Sequence, residues 1–310
     1  MTKVSIIGAG AVGTTCADCI ARKNIAHEIV LLDSVYGVAE SKALDLWESS
    51  SIQGFDTRIH GTTNDYSKTE NSDIVVIVSG SPRKPEMSRD DLIAINAKVV
   101  KDVTKKVIEY SPNSIIIVVS NPLDVMCYAT LLTSKFESHR IMGMSGLLDV
   151  ARYKAFIADA LNISPKDIQA IILGGHGKTM LPLPRYTTIG GISVYEFLTQ
   201  EQLDPIIERT RMGGDELVKL LGRSLWYAAG SAISEMVESI ILDQKRIFPI
   251  SAYLNGEYGL NDIFLGVPVV LGKEGIQKVI EIDLNENEKH LFLKSEKYVR
   301  ETNEIMKTFL

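Results

Sequence analysis

The chain reads as an α/β protein, an N-terminal doubly wound parallel sheet followed by a C-terminal α+β unit. Three observations predict this. Runs such as Ile74-Val75-Val76-Ile77-Val78 and Ile115-Ile116-Ile117-Val118-Val119 are apolar on both faces. Both faces must then be covered, which is the habit of a parallel sheet between two helix layers. Helical stretches alternate with these runs through the first half, giving a βαβ rhythm. After Gly143 the rhythm gives way to longer helices and separated strands.

In chain order, strands are expected at residues 3–7, 28–32, 73–79 and 114–120, with a short one at 140–143. Helices fit between them at 11–23, 37–50, 90–110 and 122–134. A helix at 147–161 opens the second half. Pro182 and Pro184 interrupt the strand-like region that follows it. Helices are expected at 201–221 and 225–243, strands at 247–254 and 264–271, and a final amphipathic helix at 286–306. The change of pattern places a domain boundary at 143–145, giving domains 1–143 and 144–310. A length of 310 residues suits two domains of about 150 each. No internal repeat and no Pro-, Gly- or Ser-rich linker separates them, so they should pack closely.

Hydrophobic residues make up 45% and charged residues 23%, values of an ordinary globular chain that exclude disorder. The net charge is −6 and no basic stripe recurs, so no nucleic-acid partner is expected. No uncharged apolar window reaches the ~18 residues of a membrane span. The start, MTKVSIIGAG, lacks the charged lead, apolar block and cleavage site of a secretory signal. Three cysteines cannot pair completely, which favours the cytoplasm. Cys16 and Cys19 form a CxxC, but on a helix after a glycine turn, where packing is the simpler role.

Gly8-Ala9-Gly10-Ala11-Val12-Gly13 is a GxGxxG that follows a strand and opens a helix, the context its chemistry needs. Gly8 allows the tight turn, Gly10 lets a pyrophosphate reach the backbone, and Gly13 lets helix and strand approach. The phosphates would meet the free N–H groups and positive dipole of the helix start, around Ala11 and Val12. Asp33 ends the second strand, 20 positions past Gly13 (33 − 13). A carboxylate there accepts from ribose hydroxyls and repels a 2′-phosphate, so NAD is expected over NADP and the first domain is Rossmann-like. The bland alternative is a glycine turn with a surface acid.

Three further segments carry chemistry. Ser81-Pro82-Arg83-Lys84-Pro85-Glu86-Met87-Ser88-Arg89 is a cationic loop after the 73–79 strand, at the strand end where such sheets bind ligands. Taken alone it is a solvated basic loop. Asp149 and Arg152 are three apart on a helix and share a face. Gly174-Gly175-His176-Gly177 puts a histidine in a glycine turn. Together they suit oxidation of a hydroxy acid. A base must take the hydroxyl proton, and His176 has the right pKa. Asp149 can neutralise the imidazolium. Arg152 can clamp a carboxylate bidentately. Arg89 is a candidate second cation near the developing carbonyl. No metal is called for.

The motifs IGAGAVG, VLLD, PRKPEMSR, VVSNPLD, GMSGLLDVARY, GGHG and GVPVVLG, in this order, resemble those of the lactate/malate dehydrogenase family over nearly the whole chain. The resemblance implies His176 as proton acceptor, Asp149 as its partner, Arg152 as carboxylate clamp and Arg89 as the carbonyl-polarising residue on a mobile loop. It places Asn121 against the substrate and the nicotinamide, and adds Asn96 and Val119 to the cofactor contacts. It also implies a homodimer or homotetramer. Arg83 stands where the family sorts substrates, and an Arg resembles the malate-oxidising branch. The expected reaction is therefore reversible NAD-dependent oxidation of (S)-malate, a small dicarboxylate, to oxaloacetate. Lactate or another 2-hydroxy acid is the alternative, and a catalytically silent NAD-binding protein a further one. Two residues depart from the family pattern: Glu86 in place of Gly and Lys178 in place of Asp. If Gly177 keeps the chain extended, Lys178 shares a face with His176 and lowers its pKa against the pull of Asp149. If it swings into solvent, it does nothing.

Overall fold

In the computed structural model, residues 1–81, 88–222 and 226–310 are described, with the backbone alone at Arg89. The first half runs β1 (Lys3–Ile7), α1 (Ala11–Lys23), β2 (Glu28–Asp33), α2 (Val38–Glu48), α3 (Ser50–Gln53), β3 (Arg58–Thr63), β4 (Ile74–Ile77), α4 (Arg89–Tyr110), β5 (Ile115–Val118), α5 (Leu123–Ser134) and β6 (Ile141–Gly143). The second half runs α6 (Gly146–Leu161), β7 (Ile168–Gln169), β8 (Ile172–Leu173), β9 (Leu181–Pro182), β10 (Thr188–Ile189), β11 (Ile192–Ser193), α7 (Gln200–Leu221), α8 (Tyr227–Ile241), β12 (Arg246–Asn255), β13 (Asn261–Gly272), β14 (Gly275–Val279) and α9 (Glu286–Lys307).

Nine strands form one sheet in the order β14-β13-β12-β6-β5-β4-β1-β2-β3. The six from β6 to β3 are parallel, with Ile6 opposite Leu31 on one side and Val76 on the other. The chain starts at β1, goes out to β3, then crosses back to β4. The strand order therefore reverses between β1 and β4, and a crevice opens there at the carboxyl ends of the strands. All four residues of β4 and of β5 are buried, as their double-sided apolar runs require.

The sheet does not stop at residue 143. β12 joins β6 antiparallel, with Ser251 opposite Gly143, and β13 and β14 extend the edge. One apolar core accordingly runs from Val4 to Met306 through both halves. A smaller second core gathers Tyr153 and Ile157 of α6, Ile168 of β7, and Leu203 and Ile207 of α7. It anchors α6, which carries Asp149 and Arg152.

Several elements differ from the sequence expectation, among them the small sheet β11-β10-β7 and the following three. β3 lies in a stretch where the sequence predicts no strand. Its burial alternates as an edge strand's does, so it shows no double-sided apolar run. The expected 37–50 helix ends at Glu48, and a separate turn, α3, follows. β14 is a short hairpin partner of β13 whose only apolar anchors are Ile276 and Val279. Of the 225–243 helix, the start lies outside the described residues.

The three cysteines are free. Cys16 and Cys127 are buried, and burial pushes both thiols up, away from the reactive thiolate. Cys19 is half-buried on α1 with its Sγ 3.8 Å from Ser231 Oγ on α8. Among the described residues no helix is long and apolar enough to cross a membrane, and no cluster of ligating side chains could hold a metal.

Candidate active site

The crevice at the end of β1 is shaped by the glycine turn. A Cβ on Gly13 would lie 1.9 Å from the Gly8 carbonyl oxygen, so only glycine lets α1 start this close to β1. Gly10 has nothing within 4 Å of such a Cβ, so its face is open for a ligand to approach. No side chain caps α1, whose N-cap is Gly10, and its first turn holds no acid. The N–H groups around Ala11 and Val12 are left for an anion. Asp33 stands at the end of β2 beside the turn. Its Oδ2 accepts from Ala9 N–H at 2.8 Å and its Oδ1 from Val35 N–H at 3.0 Å. Each oxygen keeps a lone pair for a further donor. Lys42 of α2 donates to the Ala9 carbonyl at 2.5 Å and secures the turn from the other side. An open glycine face, an uncapped helix start and a strand-end carboxylate fit the pyrophosphate and ribose of NAD.

The second cluster assembles on α6 and the β8–β9 turn. Asp149 lies in the first turn of α6, 1% exposed. His176 Nδ1 is 2.8 Å from Asp149 Oδ2, and Arg152 donates from Nη1 to Asp149 Oδ1 at 3.1 Å. One buried carboxylate thus holds both the imidazole and the guanidinium. With Nδ1 turned to Asp149, Nε2 is the ring nitrogen left for a substrate. Burial works against the imidazolium, but the charge of Asp149 and its hydrogen bond outweigh it and hold the His176 pKa above its ordinary value. The Arg152 charge opposes them, and a second carboxylate, Asp124, assists.

The other expected residues fall around these clusters. Asn121 sits exposed just past β5, at the carboxyl edge of the sheet. Asn96 is 1% exposed, and its amide is taken up internally. It accepts from Ser81 N–H at 2.7 Å and donates to the Asn121 carbonyl at 2.7 Å, strapping the two loop starts together. Val119, 8% exposed, is buried just past the end of β5. Arg89 is the first residue of α4. It is fixed there by a capping box in which Ser88 Oγ accepts from Asp91 N–H and Asp91 accepts from Ser88 N–H, each at 3.1 Å. Arg83 and Glu86 lie outside the described residues.

Lys178 does not meet His176. Gly177 has φ +121°, so the chain turns rather than extends, and strand alternation does not apply. The Lys178 ammonium instead lies 3.2 Å from Asp215 of α7, both largely exposed. Replacing Lys178 with Asp is therefore expected to shift the alkaline limb of activity by less than ~0.3 pH unit, since exposed charges beyond contact are screened. The pH profiles of the two proteins check this, and a shift of a full unit would contradict it.

Sequence reasoning missed the residues that hold the histidine turn. Asp124 of α5 accepts from His176 N–H, and Ser295 of α9 accepts from Gly175 N–H at 2.8 Å. Gly213 of α7 faces the Arg152 stem, where a Cβ would come within 3.0 Å of Cδ. For Asp124 the available signal was its place in the same short SNPLD segment as Asn121.

Two family models match the chain: the lactate/malate dehydrogenase NAD binding domain over residues 2–143, and the lactate/malate dehydrogenase alpha/beta C-terminal domain over residues 147–310. A malate dehydrogenase of Cytophaga hutchinsonii is 57% identical over 304 residues, 98% of this chain and 97% of that protein. The crystal structure of a malate dehydrogenase from Salinibacter ruber superposes with a TM-score of 0.95 at 49% identity, covering 99% of this chain and 98% of that one. A lactate dehydrogenase from Cryptosporidium parvum, complexed with lactic acid and nicotinamide adenine dinucleotide, also superposes with a TM-score of 0.95, at 32% identity over 99% and 98% of the two chains. The backbone is thus common to both activities and does not choose between them.

Proposed function

Because the chain belongs to the lactate/malate dehydrogenase family, we propose that it catalyses the reversible NAD-dependent oxidation of (S)-malate to oxaloacetate. The observation that carries the chemistry is the buried Asp149 carboxylate, which holds His176 at 2.8 Å and Arg152 at 3.1 Å. The choice of malate rests on the names of relatives at 48–57% identity and on Arg83 in the sequence. NAD, when bound, supplies the acceptor for the hydride that leaves the hydroxyl carbon.

The protein's own part begins with Arg152, whose guanidinium has donors to spare beyond Asp149 and takes the 1-carboxylate in a fixed pose. Asn121 faces the substrate and nicotinamide side. His176 Nε2 accepts the hydroxyl proton during oxidation and returns it during reduction. Asp149 keeps the tautomer and offsets the imidazolium charge. Arg89 polarises the carbonyl from the start of α4, and Arg83 meets the second carboxylate. Reduction needs the imidazolium, so a raised His176 pKa extends the alkaline limb of reduction upward; oxidation needs neutral imidazole, so its acid limb also moves up.

Asp33 sets the cofactor preference in this reading. The protein is expected to prefer NAD over NADP at least tenfold in kcat/KM, and Asp33→Ser is expected to narrow the gap, because a carboxylate beside a 2′-phosphate is repulsive. Equal use of NADP by the unmodified protein would refute the assignment. Cytoplasmic placement belongs to the same reading and is supported by three free cysteines. So does a homodimer or homotetramer, supported by Leu44 and Ile52, which stand 57% and 87% exposed on α2 and α3. The test of the reaction is direct. Adding oxaloacetate to the protein with NADH should oxidise one NADH per malate formed, and no turnover would leave the silent-binder alternative.

A further inference from the structure

The buried carboxylate of Asp124 meets the backbone of the histidine turn, whereas Asp149 meets the ring. Asp124 is 4% exposed, in the first turn of α5, three residues past Asn121. Its Oδ2 accepts from the backbone N–H of His176 at 2.9 Å, and its Oδ1 accepts from Ser251 Oγ of β12 at 2.6 Å. Both oxygens are engaged in hydrogen bonds, and no lysine or arginine pairs with the carboxylate among the described residues. Burial raises its carboxyl pKa, and the bonds from Ser251 and His176 N–H together with the His176 charge offset only part of the rise.

We propose that Asp124 is a positioning residue for the reaction, fastening the His176 turn to the Asn121 segment and stabilising the imidazolium with a second negative charge. The inference rests on the reading of His176 as the proton carrier. The Asn121 segment and the His176 turn come from distant parts of the chain and must close on one substrate. The Asp124 bond to His176 N–H is a direct link between them. Because it grips the backbone, it fixes the turn while leaving the imidazole to Asp149. The glycines on both sides of His176 add no side-chain anchorage, so the turn depends on such outside bonds. Ser295 supplies the neighbouring one, to Gly175 N–H, and is itself bonded to Thr179 Oγ1 at 3.0 Å. The charged and titratable groups facing the imidazole are Asp149 and Arg152 from α6 and Asp124 from α5. Cys127, also on α5, is a buried neutral thiol beside Asp124, and Lys178 of the same turn is engaged by Asp215.

Asp124→Asn separates charge from shape. The amide oxygen can still accept from His176 N–H, and the amide nitrogen can donate to Ser251, so the turn keeps its anchor and loses only the charge. NMR titration of the His176 ring, assigned by its absence in His176→Asn, reads the effect without relying on turnover. The expected result is a His176 pKa lowered by about half a unit or more, the size of one unscreened charge nearby. The alkaline limb of oxaloacetate reduction should move down with it, and NADH affinity should stay within about twofold, since Asp124 does not touch the cofactor cradle. An unchanged His176 pKa would overturn the proposal. If the unmodified protein does not reduce oxaloacetate, the functional reading fails, while the titration still decides the link between Asp124 and His176. Should Asp124→Asn not fold, Ser251→Ala carries the test. It frees one carboxylate oxygen, and kcat should fall at least about threefold with little change in NADH affinity, as a loosened turn misplaces the base. A Ser251→Ala protein with unchanged kcat would overturn the proposal.

Discussion

His176→Asn is expected to cut kcat by about 10² to 10⁴ in both directions while NADH binding survives, the usual cost of losing a general acid–base. The argument is geometric. His176 Nδ1 is committed to Asp149 at 2.8 Å, and asparagine can reproduce neither a second nitrogen aimed at substrate nor a proton exchanged near neutral pH. The pyrophosphate and ribose end of the dinucleotide crevice is built from β1, α1 and β2, none of which bonds to the histidine turn, so affinity for NADH should not follow kcat down. Fluorescence titration with NADH alongside steady-state kinetics separates the two effects. A mutant that loses NADH binding as well would mean that His176 is a structural residue, and the proton relay would have to lie elsewhere.

Arg83→Gln is expected to cost oxaloacetate on the order of 10² or more in kcat/KM, the equivalent of about 3 kcal/mol for a carboxylate left without its partner in a desolvated site. Pyruvate has no second carboxylate and should lose little or gain. The prediction rests on sequence, since Arg83 lies outside the described residues. The structure contributes the frame. Ser81, before the segment, is held by Asn96, and Ser88, after it, is held by the capping box with Asp91. Unchanged turnover of oxaloacetate in Arg83→Gln would mean that this side chain does not meet the second carboxylate. Arg152 would then be left as the only described guanidinium beside the imidazole.

What was legible in the sequence follows from how locally each feature is encoded. β4 and β5 announce themselves because a strand covered on both faces must be apolar at every position, and α1 because its glycines and its helical pattern adjoin. β3 alternates polar and apolar residues, with Gly61 in its midst, and gives no continuous run. The pairing of Ser251 with Gly143 joins residues more than a hundred positions apart, and no local pattern reveals that β12 extends the first sheet. The site divides in the same way. Asp149 and Arg152 share a helical face three residues apart, so their meeting could be read from spacing. Asp124, Ser251 and Ser295 are small polar residues that gain meaning only when α5, β12 and α9 converge on one turn. Lys178 shows what a local rule leaves open. The strand rule would place it beside His176 only if Gly177 kept the chain extended; Gly177 at φ +121° turns the chain, and the ammonium lies by Asp215, as in the solvent-facing alternative.

The most direct test of the central claim compares substrates on the unmodified protein, by following NADH consumption with oxaloacetate and with pyruvate under identical conditions. The expected result is a kcat/KM for oxaloacetate at least about 10²-fold above that for pyruvate, since pyruvate lacks the second carboxylate that Arg83 is proposed to pair. Comparable rates with the two substrates, or faster turnover of pyruvate, would contradict it.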